Sequence, residues 1–176
     1  MPPIAPGNRA PSFSLPSNGG REVPSESLLG AWSVLYFYPR ADTPGCTREA
    51  QAFTEQLHAF EKLHAAVFGI SKDAVGALCK FRDKYTLTVE LLSDSDLAVH
   101  KAFGAFGEKV MYGKRVEGVI RSTFVVNPEG VLAWSFTNVK VDGHVEKVLE
   151  KLRVLQGGGD SNDAPPQKRR GSETRS

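Results

Sequence analysis

The chain has 176 residues, 40% of them hydrophobic and 24% charged. That is the length and composition of one globular domain with room for a core, and it excludes wholesale disorder. Its 22 basic and 20 acidic residues leave a net charge of +2, which gives no electrostatic case for nucleic acid or an anionic membrane. No apolar run approaches the ~20 residues of a membrane span, and the N-terminal segment has neither a signal-peptide core nor the acid-free, Arg-rich character of a transit peptide. The cytoplasm is therefore the expected compartment. There, two cysteines (Cys46 and Cys79) are not a disulfide scaffold; each is a buried small hydrophobe or a chemical tool.

Up to Gly30 the chain is rich in Pro, Gly and Ser. Residues 12–15 (SFSL) alternate weakly and 16–23 (PSNGGREV) read as a turn into a second short strand, which predicts a hairpin. Residues 27–32 are a short connector. SVLYFYP (33–39) is an apolar, β-branched and aromatic run closed by a proline, the mark of a buried central strand. RADTPG (40–45) is a turn. A helix is predicted to begin near Thr43, with Pro44 in its first turn, where a missing N–H costs nothing. It continues through residue 64, because Ala50, Phe53, Leu57, Phe60 and Leu63 recur every three or four residues.

AVFGIS (66–71) is a second buried strand. Asp73 is placed to cap a helix over 74–85, with Leu78, Phe81 and Tyr85 on its core face. Strand 89–94 and a short helix over 97–105 follow, then a long polar loop over 106–118. Strands 119–127 and 131–136 flank a tight turn at 128–130. A last helix covers 142–155. Residues 157–176 hold one apolar residue, Ala164, and nine Gly, Pro or Ser, too little to offset the entropy of ordering, so they form a tail behind a domain of residues 1–156. The expected fold class is α/β, a mixed and mostly parallel sheet with helices on both faces.

The informative segment is PRADTPGC (39–46), which puts Cys46 after a strand and a sharp turn, in the first turn of a helix. Unpaired N–H groups and the helix dipole favour an anion there, and the thiolate is the nucleophilic form of cysteine. Position alone also fits an inert Cys46 packed against the strand. Thr43 caps the helix or touches a substrate oxygen. Pro39 walls off the site or only stops the strand. Arg121 lies inside the apolar string VIRSTFVV; it either points to solvent from an edge strand or needs an anionic partner.

FYPRADTPGCTREAQAF (37–53) resembles the active-site segment of the peroxiredoxins, with their Pro-x-x-x-Thr/Ser-x-x-Cys pattern. Its TPGCTxEA form is similar to the bacterioferritin-comigratory (PrxQ) subgroup. APSFSL (10–15), LLSD (91–94), MYGKRVEGVIRSTFVVNPEG (111–130) and VKVDGHVEKVLEKL (139–152) stand in that subgroup's order, so the resemblance covers about residues 4–155. It implies a thioredoxin-like fold with an N-terminal β extension. The implied activity is that of a thiol peroxidase reducing hydrogen peroxide and organic hydroperoxides, recycled by thioredoxin or a similar dithiol, without metal or organic cofactor, and monomeric. By position, Cys46 is the peroxidatic cysteine. Thr43 bonds thiolate and peroxide, Pro39 shields them, Arg121 polarises them, and Glu49 orients the site.

One departure matters. Many members carry a resolving cysteine five residues after the first, and here that residue is Gln51. Others place it in the next helix, which makes Cys79 the candidate, on a border stripe with Val75 and Arg82; the alternative is a small buried hydrophobe. Cysteines on separate helices are expected to need local unwinding, around Cys46 and around 76–82, before they can bond. Without Cys79, an external thiol would resolve the sulfenic acid. A disulfide reductase would need Cys-x-x-Cys, and residue 49 is glutamate. A peroxide sensor or holdase would share the chemistry at Cys46 but react once instead of cycling.

Overall fold

The computed structural model describes residues 4–157. The expected tail, Gly157 apart, lies outside the described residues. A five-stranded sheet organises the chain, in the order β5-β4-β3-β8-β9. Strands β3 (Trp32–Phe37), β4 (Ala65–Ser71) and β5 (Glu90–Ser93) are parallel, while β8 (Ser122–Val126) is antiparallel to both β3 and β9 (Leu132–Phe136). Burial on both faces explains the apolar sequence of β3 after Ser33. Val34 and Tyr36 point into one core with α1 (Pro44–Glu55), α3 (Val75–Tyr85) and α5 (His144–Leu155); Leu35 and Phe37 point into a second with α4 (Ala98–Phe103). Helices on both faces of a mixed sheet are what the sequence predicts. The predicted N-terminal hairpin is β1 (Ser14–Pro16) paired with β2 (Glu22–Pro24), and a 3₁₀ turn at Ser25–Leu28 begins the connector to β3. No described helix is long and apolar enough to cross a membrane.

Three segments differ from expectation. The single helix predicted through residue 64 is broken at Gln56 (φ −100°, ψ 7°) into α1 and α2 (Leu57–Lys62). A straight 21-residue helix from Pro44 to His64 would run about 32 Å, past the end of seven-residue β4 at about 23 Å. The bend returns Phe60 to the core, 5.8 Å from Phe53 between ring centroids. The predicted loop 106–118 is a hairpin, β6 (Phe106–Met111) and β7 (Lys114–Val119). Its two-residue turn, Tyr112–Gly113, has positive φ at both positions, the geometry that matches strand twist. Most of the hairpin stands clear of the core, so its strands show no apolar alternation. The strand predicted from 119 accordingly starts at Ser122. Asp73 does not cap α3, whose N-cap is Ala74 without a side-chain bond. Its Oδ2 accepts instead from the Ala41 amide and the Ser71 hydroxyl, both at 2.8 Å, tying the turn after β3 to the start of α3.

Candidate active site

The turn 40–43 delivers the chain from β3 into α1. Thr43 has the extended backbone of an N-cap (φ −102°, ψ 156°), Pro44 follows at the first helical position, and Cys46 falls in the first turn. Only the backbone of Thr43 caps: its carbonyl accepts the Thr47 amide at 2.8 Å, while its hydroxyl donates to the Arg40 carbonyl at 2.8 Å. Side-chain capping by Thr43 is thereby corrected. The hydroxyl stiffens the turn, and Thr43 stays half-buried at the rim. Pro39, also half-buried, sits between the end of β3 and this turn.

Cys46 is 1% exposed and meets one charged group. Arg121, in the two-residue link between β7 and β8, donates from Nη2 to Cys46 Sγ at 3.4 Å and from Nη1 to Glu49 Oε1 at 2.6 Å. The planar fork thus spans a thiol and a carboxylate that α1 presents one turn apart. Arg121 is thus turned inward, 18% exposed, against the Cys46 sulfur and the Glu49 carboxyl, and does not point to solvent. Burial pushes the Glu49 carboxyl up to about 7 against the pull of Arg121. Its second oxygen, Oε2, is buried without a hydrogen-bond partner, as is the Tyr36 hydroxyl. Burial likewise raises the Tyr36 phenol, with Tyr38, Glu49 and Cys46 adding to the shift.

Cys79 lies elsewhere. It is half-buried in the middle of α3, its Sγ 3.6 Å from the Asn18 carbonyl, which also accepts Arg82 Nη1 at 2.8 Å. Val75 and Arg82 are half-buried beside it, in agreement with the predicted border stripe. Both cysteines are free thiols.

Three features of the surroundings escaped sequence reasoning. A Cβ on Gly45 would come within 3.3 Å of Arg121 Nη2, so this glycine makes room for the guanidinium; its place in TPGC, next to the thiol, was the available signal. A Cβ on Gly69 would come within 2.6 Å of the Tyr36 ring and hydroxyl, so Gly69 admits the tyrosine that stacks on Phe53 beneath α1. His144, at the start of α5, bonds Thr123 Oγ1 through Nε2 at 2.8 Å and packs edge-on to Phe136. Burial lowers its pKa to about 4, helped by Lys147 and Arg121.

A thiol in a helix's first turn, under an arginine fork, is built to attack an electrophile and stabilise the negative charge that develops. Residues 6–135 match the family model described as AhpC/TSA family. Peroxiredoxin Bcp of Escherichia coli is 37% identical over 153 residues, covering 87% of this chain and 98% of its own. A Mycobacterium tuberculosis protein provisionally named as a peroxiredoxin is 47% identical over 151 residues, covering 86% of this chain and 96% of its own. The structure of Xanthomonas campestris bacterioferritin comigratory protein, described for its alkyl peroxide reduction activity, superposes with a TM-score of 0.76 at 40% identity, over 80% of this chain and 90% of that one. The chain belongs to the AhpC/TSA family, among its Bcp (PrxQ) peroxiredoxins. It is accordingly a thiol-dependent peroxidase, an oxidoreductase on a thioredoxin-like fold.

Proposed function

We propose that the domain of residues 1–156 reduces hydrogen peroxide and organic hydroperoxides through Cys46, in the cytoplasm and as a monomer. The observation that carries this is the Arg121 fork on Cys46 Sγ and Glu49. The Cys46 thiolate attacks one peroxide oxygen; the O–O bond breaks, and the other oxygen leaves as water or an alcohol once it has taken up a proton. Arg121 stabilises the thiolate and then the charge on the departing oxygen, Glu49 orients Arg121, and Thr43 and Pro39 shape the entry. Organic hydroperoxides are included because the X. campestris relative is described as an alkyl peroxide reductase.

The product is Cys46 sulfenic acid. Condensation with the Cys79 thiol forms a disulfide and releases water, and thioredoxin or a similar dithiol restores both thiols by exchange. Helix geometry supports a required unwinding. Ala77 and Lys84 of α3 line the depression beside the active-site turn, whereas Cys79 lies about 160° around the helix from Ala77. One equivalent of peroxide followed by a mass map of both cysteines tests the scheme. The expected result is a Cys46–Cys79 bond, and turnover with thioredoxin and its NADPH-coupled reductase. A lasting sulfenic acid would mean a one-cysteine enzyme using an external thiol; a single reaction without cycling would mean a sensor.

A further inference from the structure

The turn ahead of Cys46 is tied to α3 at two consecutive residues. The Ala41 amide donates to Asp73 Oδ2, just before the helix. Asp42 reaches its last turn: Tyr85 Oη donates to Asp42 Oδ1 at 2.7 Å, and Lys84 Nζ lies 3.0 Å from Oδ2. Asp42 has φ +64°, a left-handed conformation that aspartate tolerates better than most residues, and this aims its carboxylate at α3. Lys84 also sits 5.3 Å over the Tyr85 ring, so the two donors are held together. Arg40, Ala41, Asp42, Ala77, Lys80 and Lys84 border a depression of about 490 Å³ beneath this tie. Beside the packing of Ala41 against the core that Leu78 and Phe81 enter, turn and helix are joined by these polar links, and the helix face they hold is the one opposite Cys79.

We infer that Asp42, through Tyr85 and Lys84, is a positioning residue that fastens the Cys46 turn to α3 and so sets how fast Cys79 reaches the Cys46 sulfenic acid. The inference rests on Cys79 being the resolving thiol. For the disulfide to form, Cys79 must swing from the far side of α3, and the bonds from the helix's last turn to Asp42 resist that rotation. The tie does not touch Cys46, Arg121 or Glu49, so it acts on resolution and leaves the peroxide step alone. A slower resolution leaves the sulfenic acid exposed to a second peroxide, which oxidises it to the sulfinic acid with loss of water or alcohol. The tie thus also fixes how the sulfenic acid divides between disulfide and irreversible oxidation.

Asp42→Asn removes the charge and keeps a side chain that tolerates the left-handed backbone; Tyr85→Phe removes only the hydroxyl. For each variant and the wild type, rapid mixing with peroxide followed by acid quench and mass analysis gives three quantities: the rate of sulfenic acid formation, the rate of disulfide formation, and the sulfinic acid yield at excess peroxide. Both variants should form the disulfide about three- to tenfold faster, the range expected from losing one charge-assisted contact at a partly exposed site. They should give less sulfinic acid, with sulfenic acid formation unchanged. Damage to the fold would instead slow the peroxide step. Disulfide formation at the wild-type rate in both variants would overturn the inference. If the wild type itself forms no Cys46–Cys79 bond, the resolving role of Cys79 fails, and the inference with it; that failure shows in the wild type alone, before any variant is made.

Discussion

The two cysteines occupy opposite kinds of place. Cys46 is almost fully buried, in the first turn of a helix, with an arginine on its sulfur; Cys79 is half-buried, mid-helix, with a backbone carbonyl beside it. The first has a guanidinium donor suited to negative charge, in place before any substrate arrives. The second sits against a backbone carbonyl, on a different helix from that arginine's partners. Burial and donor placement are thus uncoupled: the more buried sulfur is the one with the arginine on it. In the proposed scheme the attacking thiol is set apart from the waiting one by the arginine beside it, not by its exposure.

The largest test of that contrast is to remove each thiol. Cys46→Ser should abolish peroxide consumption to background. Cys79→Ser should leave the first reaction with peroxide at the wild-type rate and remove the disulfide. Single-turnover peroxide loss, followed with each variant, reads both; wild-type activity in the Cys46 variant would undo the assignment. Next comes the donor. Arg121→Ala should slow sulfenic acid formation by about 10²–10³, the cost of losing one such charge-stabilising donor. Arg121→Lys keeps the charge but not the fork, and should recover only part of the rate. Equal rates in the lysine variant and the wild type would show that charge alone matters.

Sequence reasoning reached the Cys46 half of the contrast more fully than the Cys79 half, for physical reasons. The strand β3, the turn and the start of α1 are local: a buried apolar run, a cluster of breakers and a proline at the first helical position each act within a few residues. The apolar neighbours of Arg121 left two readings, an arginine facing solvent from an edge strand or one paired with an anion. That the partners are Cys46 and Glu49 depends on β8 pairing with β3, a long-range event. For Cys79 the border stripe was legible, but its bearing toward the active-site turn is set by how α3 packs, and no periodicity encodes that. The β6–β7 hairpin was missed because strands largely outside the core lose the alternation that reveals them.

A smaller effect separates two buried titratable groups near Arg121. Glu49 has its pKa raised to about 7, so its protonated form is favoured by the fold; its contribution is complete below about 4.5 and is lost as pH rises through 7. His144 has its pKa lowered to about 4, so its neutral form is favoured; its contribution is present above about 6.5 and is lost as pH falls through 4. Between about pH 4.5 and 6.5 the two slopes oppose one another, each integrating to on the order of 3 kcal/mol. Urea unfolding across this window should therefore be flat in the wild type. Glu49→Gln leaves the histidine slope, so stability should drop as pH falls; His144→Gln leaves the carboxyl slope, so stability should climb as pH falls. Parallel profiles for the two variants would contradict this balance.

The smallest expected change sharpens the contrast most, because it separates the donor's position from its presence. Gly45→Ala adds one methyl carbon, 3.3 Å from Arg121 Nη2, tight enough that the guanidinium must yield by a few tenths of an ångström. The position is helical, so alanine itself costs the backbone nothing and removes glycine's entropic penalty, up to about 1 kcal/mol in a helix interior. The fold should thus be as stable as the wild type or slightly more so. The peroxide step should nevertheless slow by about two- to fivefold, because a reacting geometry is sensitive to sub-ångström shifts of the group that stabilises charge. Thermal melting and single-turnover kinetics on the same sample read the two effects. Unchanged kinetics would mean that Arg121 has slack in its fork, and that the glycine beside Cys46 serves the turn alone.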